Sequence, residues 1–262
     1  MLRQGRRALF HAEAAVISRR YTSLSFVCVI TVVCCTSCAT RGIIRGVVRF
    51  EGEIPKPVEI PIIHDPLCVK ATGGKPLMSE RFVIGADGSV QNAFVWVSGG
   101  LVDQTLAAPA EALTITGKGC RFDPHVSACM VGQRVRLVND DRLLHAFAMF
   151  PQRNASLMKG MPVQGMIVET VFDRTELGIP LRCSVHPWMQ GYLHVLEHPF
   201  FAITAANGAF VIKHVPPGDY ELSVWQEFNR FAADEPTVKI RVEAGKTAEV
   251  TFTYRPAKAD KQ

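Results

Sequence analysis

Short β-rich runs, each closed by a turn signal, fill the chain from residue 43 to residue 254, and no stretch carries the apolar spacing of a long amphipathic helix. A chain of this kind buries its apolar faces by stacking sheet on sheet, so the expected class is all-β. Residues 43–50 form the first expected strand, ended by Glu51-Gly52 and by Pro55 and Pro57. Residues 81–84 and 90–97 flank an Asp87-Gly88 turn and read as a hairpin, with Phe94 and Trp96 on one face and Ala93, Val95 and Val97 on the other. Residues 135–138 alternate as a half-buried strand does. A loop over 139–144, a short run over 145–150 and a polar connection containing Gly and Met follow, to residue 163. Residues 167–172 read as a strand, 176–180 as a turn and 191–196 as the next strand.

After His198-Pro199 come compact strands over 200–204, 209–212, 220–225, 238–242 and 248–254. Asn207-Gly208 between two of them marks a type I′ hairpin turn, whose central residues both need positive φ. The chain therefore divides near residue 198. The expected parts are a β-sandwich over 39–197, a small C-terminal β-sandwich over 198–255 and a polar tail over 256–262. Residues 43–52 could instead complete the C-terminal sandwich.

Residues 1–38 read as a targeting leader: Arg3, Arg6, Arg7, Arg19 and Arg20 precede an uncharged apolar run over 24–35 that is short for a membrane span. Cys35-Thr36-Ser37-Cys38 resembles a bacterial lipoprotein signal, which would leave Cys38 as the lipidated first residue. An uncleaved anchor and an ordinary signal peptide are the alternatives. All three place the remaining chain outside the cytoplasm, in the periplasm or cell envelope, with any membrane attachment made through the leader or its lipid. The formal charge is +5, but the leader holds five Arg and one acid, which leaves 24 basic against 23 acidic residues. No basic track for a phosphate backbone remains, so nucleic acid is not an expected partner.

Chemistry concentrates in Cys183-Ser184-Val185-His186-Pro187-Trp188-Met189-Gln190-Gly191. Here a thiolate, an imidazole and a thioether stand at Cys-x2-His-x2-Met spacing. Two imidazoles and a thiolate with a weak axial thioether are the donors of a blue-copper electron-transfer centre. The missing imidazole must come from another loop. Of the seven His outside the leader, His145 lies six residues after Asn139, at the mouth of the loop that ends strand 135–138, where it can meet the Cys183 loop. Pro187 stiffens that loop and Trp188 can shield it from water. The edge of His186, ringed by Pro187 and Trp188, is the expected electron port. No phosphate loop, nucleophile elbow or zinc-protease motif is present, and four donors leave no open position for a substrate, so no enzyme is expected.

Four of the eight Cys fall in the leader. Export permits disulfides, and with Cys183 on a metal, one pair plus one odd thiol is the simplest arithmetic for Cys68, Cys120 and Cys129. Loop-like surroundings favour Cys68 with Cys120, although spacing alone does not give connectivity. Cys120-x4-His125-x3-Cys129 has zinc-like donors at a spacing that matches no standard structural knuckle. His194 reads as a surface or rim residue. Met149, Met158, Met161 and Met166 read as core filling or a docking patch.

Two resemblances follow from these motifs. Asn139-x5-His145 with Cys183-x2-His186-Pro187-Trp188-Met189 resembles the cupredoxins, most closely the amicyanin and plastocyanin branch, over roughly residues 131–197. That resemblance implies a Greek-key β-sandwich with one type 1 copper held by His145, Cys183, His186 and Met189, passing single electrons between redox partner proteins. Those families usually place Asn directly after the first His, tying the two ligand loops together; here that position is Ala146. Asn207-Gly208-Ala209-Phe210 and Pro216-Pro217-Gly218-Asp219-Tyr220 are similar to the carboxypeptidase regulatory-like, transthyretin-type sandwich. Such a module implies a structural role or contact with carbohydrate or the cell envelope. A copper carrier or sensor without redox turnover, and a metal-free adhesion or scaffold protein, are the competing functions.

Overall fold

The computed structural model describes residues 40–102, 106–228 and 230–257. The leader with Cys38 and the end of the expected tail lie outside the described residues. In chain order the first strands are β1 (Gly42–Phe50), β2 (Glu59–Ile60), β3 (Leu77–Met78), β4 (Phe94–Gly99), β5 (Leu113–Lys118) and β6 (Arg121–Asp123). Next come β7 (Val126–Met130), β8 (Arg134–Asn139), β9 (His145–Met149), β10 (Leu157–Met161), β11 (Ile167–Val171), β12 (Glu176–Cys183) and β13 (Gln190–Leu196). The last are β14 (Phe201–Ile203), β15 (Ala209–Val215), β16 (Gly218–Trp225), β17 (Phe231–Ala233), β18 (Thr237–Val242) and β19 (Thr247–Pro256). One short helix, α1 (Pro66–Ala71), starts with Pro66 in its first turn, and the Asp65 carboxylate accepts from the Leu67 and Cys68 amides.

The chain is all-β and builds two sandwiches. In the first, sheet β10-β9-β12-β13-β7 and sheet β11-β8-β5-β6 enclose a core in which Ile115, Val135 and Leu137 meet Phe147, Met149, Leu181 and Leu193. In the second, sheets β15-β1-β19-β17 and β14-β4-β16-β18 bring Ile44, Val48 and Phe252 together with Val95, Val97 and Leu222. Burial of each such side chain contributes about 1.5–3 kcal/mol. β1 runs parallel to β19 and antiparallel to β15, and β4 lies between β14 and β16. Residues 42–50 and 94–99 are therefore hydrogen-bonded to strands from beyond residue 198.

Several local expectations change. The hairpin expected over 81–97 is reduced to a single bridge, Ile84 to Val90. Phe82 and Asn92 take positive φ, which interrupts both arms and frees β4 to pair elsewhere. The turn expected over 176–180 is the start of β12, which shifts register between Glu176 and Ile179, with Gly178 at φ +66° inside the irregularity. The polar connection after residue 150 contains β10, paired to β9 in register Met161 to His145.

β4 explains how the two sandwiches meet. Val95 and Val97 face the second core, while Phe94, fully buried, packs with Val126 and Leu196 of the first sandwich and beside Trp225. His194 of β13 belongs to this seam rather than to the surface: it is fully buried and stacks on Phe94 with ring centroids 3.9 Å apart. Alternation along β13 was legible in the sequence, but the covering sheet is built from distant strands and was not.

The His194 Nδ1 accepts from the Gly178 amide at 3.2 Å, and burial pushes its pKa from 6.5 down to about 3. An unfolded chain protonates this imidazole below about pH 6.5, whereas the folded chain resists until about pH 3. The folded state therefore loses about 1.4 kcal/mol per pH unit from this group as pH falls between those values. Urea unfolding measured across that window is expected to show the slope, and His194→Gln, which keeps an acceptor without a titrating ring, is expected to flatten it.

Candidate metal centre

The centre is built from two neighbouring turns. Gly119 and Cys120, at φ +60° and +53°, form the two-residue connection between β5 and β6, the positive-φ pair of a type I′ hairpin. This turn aims both amides at Asp141: Gly119 donates to Oδ1 at 2.8 Å and Cys120 to Oδ2 at 3.0 Å. Asn139, fully buried at the end of β8, shapes the loop that carries Asp141. Its side chain donates to the Leu143 and Met161 carbonyls at 2.9 and 2.7 Å and accepts from the Asp141 amide at 3.1 Å.

Four residues after Asp141, His145 opens β9 and places its Nε2 2.8 Å from Asp141 Oδ2. That contact fixes the ring and leaves Nδ1 for another partner. The His145 Nδ1 lies 3.1 Å from the His186 Nδ1, and the Cys183 Sγ lies 3.6 Å from the same His186 nitrogen. The donor atoms of His145, Cys183 and His186 all fall within 4.8 Å of one another, and all three residues are buried. Nitrogens and a sulfur at these separations suit donors about 2 Å from a common centre. Two imidazoles and one thiolate are also the borderline and soft donors that suit copper, so this residue set fits the ion its chemistry implies.

Backbone bonds hold the second loop. The Cys183 amide donates to the Met189 carbonyl at 3.1 Å, and the Met189 amide to the His186 carbonyl at 2.9 Å. Met189 is buried in the same core as Cys183. Ala146 joins the two loops through its main chain: its amide donates to the Cys183 sulfur at 3.4 Å, and its carbonyl accepts from Ser184 at 3.2 Å.

Burial opposes ionisation of the Cys183 thiol. Hydrogen bonds from His145, His186 and the Ala146 amide outweigh it and hold the pKa at about 5. Burial likewise disfavours protonated His145, but Asp141 and the Cys183 sulfur raise it to about 8. The metal-free pair is thus a thiolate beside an imidazolium. Cys129 has no such partner, and burial pushes its thiol up to about 12.

The expected port at His186 takes a different form. His186 is 2% exposed, and its Nε2 lies 3.3 Å from Asp65 Oδ2 on the N-cap of α1. A disulfide joins Cys68 of α1 to Cys120 of the β5–β6 turn. The zinc-like group does not converge: Cys120 is in that disulfide, Cys129 is a buried free thiol, and His125 Nε2 lies 2.5 Å from Glu227 Oε1. Met149 and Met161 are fully buried while Met158 is exposed, so the four Met form no common patch. Sequence reasoning missed Asp141 and Asp65. The i, i+4 spacing of Asp141 and His145 was the available sign of the first, whereas nothing local to Asp65 announces His186.

The family model described as polysaccharide lyase family 4, domain II, matches residues 195–250, in place of the carboxypeptidase regulatory-like family that the turn motifs resemble. No curated protein matches the chain. Among solved structures, the chain is similar to a copper-containing nitrite reductase (NirK) from Thermus scotoductus SA-01, at 22% identity and TM-score 0.32, covering 38% of this chain and 26% of that one. It therefore spans about a quarter of the reductase's length. An oxidised amicyanin mutant is similar at 18% identity and TM-score 0.29, over 32% of this chain and 81% of that one. A purple cupredoxin from Nitrosopumilus maritimus is similar at 24% identity and TM-score 0.26, over 32% and 98%.

The two free thiols among the described residues are expected to titrate far apart in the metal-free protein. Ultraviolet thiolate absorption should rise near pH 5 for Cys183, a step absent from Cys183→Ser, while Cys129 stays protonated until about 12. His145→Gln removes the strongest of the hydrogen bonds that hold the thiolate, and is expected to move the first step upward.

Proposed function

We propose that the chain is an exported copper protein that carries single electrons between redox partner proteins through one mononuclear type 1 copper held by His145, Cys183, His186 and Met189. The observation that carries this reading is the buried convergence of two imidazole Nδ1 atoms and one thiolate on adjoining rim loops. Copper bound there supplies a one-electron couple, and thiolate, thioether and imidazole together suit both of its oxidation states. Asp141 orients His145, the Ala146 amide tunes the electron density of the Cys183 sulfur, and Trp188, packed against the core, helps to exclude water. All four donors are spent on the ion, so the role is carriage rather than catalysis. The second sandwich then serves as a structural module or contacts carbohydrate or the cell envelope, with the leader holding the chain at the membrane.

One observation favours a second reading, a copper carrier or sensor without redox turnover: the His186 edge is covered by Asp65 and α1 instead of facing solvent. Voltammetry of the copper-loaded protein separates the two, since a reversible one-electron wave belongs to the electron carrier and its absence to the carrier of copper.

Cu(II) titration is expected to saturate at one equivalent with an intense visible thiolate-to-copper band that Cys183→Ser abolishes; a colourless titration would sink the electron-carrier reading. Asp141→Asn, which leaves the donors in place but weakens their orientation, is expected to lower copper affinity about 10- to 100-fold in a chelator competition. Met189→Leu should retain bound copper, because the thioether is the weak donor.

A further inference from the structure

The disulfide lies against the candidate centre. The sulfurs of Cys68 and Cys120 and a ring nitrogen of His186 fall within 4.8 Å of one another, and Cys120, Asp141 and His145 form a further group of the same dimensions. All of these residues are buried. His186 is shared: its Nδ1 points to His145 and Cys183, while its Nε2 is on the α1 side, where Asp65 binds it and also caps the helix that carries Cys68. A disulfide that only closed a loop would have no need of an imidazole beside its sulfurs.

We propose that reduction of the Cys68–Cys120 disulfide creates a second copper(I) site, in which the Cys68 and Cys120 thiolates are the two strong donors and the α1-facing edge of His186 closes the third side. Two electrons and two protons from a dithiol, itself oxidised to a disulfide, break the S–S bond and leave two thiols. Binding of one Cu(I) then displaces the two thiol protons and, with the first centre filled through His186 Nδ1, the remaining ring proton of His186, which becomes a bridging imidazolate. Soft thiolates select Cu(I), so a dithiol that reduces this bond changes how many copper ions the chain holds. The proposal rests on the copper reading of the neighbouring centre, because that reading supplies the metal.

The test is an anaerobic Cu(I) titration of the full chain in a background of Cys28→Ser, Cys34→Ser, Cys35→Ser, Cys38→Ser and Cys129→Ala, with the metal supplied as its bicinchoninate complex. The oxidised protein is compared with protein reduced by a phosphine and then desalted. One equivalent bound when oxidised and two when reduced is the expected result, with the second equivalent lost from a Cys68→Ala, Cys120→Ala double variant that keeps the first. Equal stoichiometry in the two redox states overturns the proposal while leaving the first centre intact. Loss of near-ultraviolet circular dichroism on reduction overturns it as well, because the site depends on the folded juxtaposition. Cys183→Ser separates this inference from the reading beneath it: the reduced variant is expected to bind one Cu(I) and the oxidised variant none. Failure of oxidised protein with intact Cys183 to bind any copper would instead count against the first centre.

Discussion

The Asp141 carboxylate is the interaction on which the centre depends. It accepts two amides from the Gly119-Cys120 turn and contacts the His145 ring, so one buried group joins the β5–β6 hairpin, the loop after β8 and the start of β9. Burial alone would raise its pKa; the contacts from His145, Cys120 and Gly119 outweigh that and keep it ionised. Without the carboxylate, the buried Cys120 amide and the part-buried Gly119 amide lose their acceptor and the His145 ring loses what orients it, which is the costly side of the hydrogen-bond asymmetry. Gly117 adds a steric constraint to the same ring, since a Cβ there would sit 3.2 Å from His145 Cδ2 and 3.1 Å from Phe147. The position of His145 is thus over-determined before any metal is considered.

The Cys183–Met189 loop is fixed differently, by main-chain bonds. Ala146 lacks the side-chain amide found at this position in the resembled families, yet its amide and carbonyl reach Cys183 and Ser184. A backbone clamp of this kind tolerates Ala because the side chain takes no part in it. Gly191, just past the loop, lets β13 pass close to the chain at His125, whose carbonyl oxygen would lie 2.8 Å from any added Cβ. A larger residue at this position would widen the approach of β13 to the chain that enters β7.

Much of this was legible in the chain, and the divide follows the range of the interactions. The β class, the Cys183–Met189 loop and the choice of His145 all follow from local alternation, turn chemistry and donor spacing. The pairing of β1 with β19 and of β4 with β16 does not, since those contacts join residues on opposite sides of the first sandwich, and alternation says only that a face is buried, not by what. His194 shows the same limit: its place on β13 is local information, but its cover, Phe94 and Trp225, comes from strands far away in sequence. Asp65 belongs to this class too, as a cap readable from Asp-Pro whose second partner, His186, lies over a hundred residues on.

The cover over His186 separates its ring from solvent. α1 has six residues, far below the length at which an isolated helix persists, so its position derives from what fastens it. Those fastenings are the Asp65 cap, the contact of Asp65 with the His186 ring, the packing of Cys68 and Val69 on the core, and the covalent link to Cys120. Asp65 is partly exposed while His186 is almost fully buried, so the outer half of the cover is wet and the inner half dry. The Asp65 carboxylate keeps water around it, so its contact with the ring contributes little by itself. The covalent link and the buried side chains therefore carry most of the cover's hold, while the Cys120 contact with Asp141 is made by its backbone amide and does not need the sulfur.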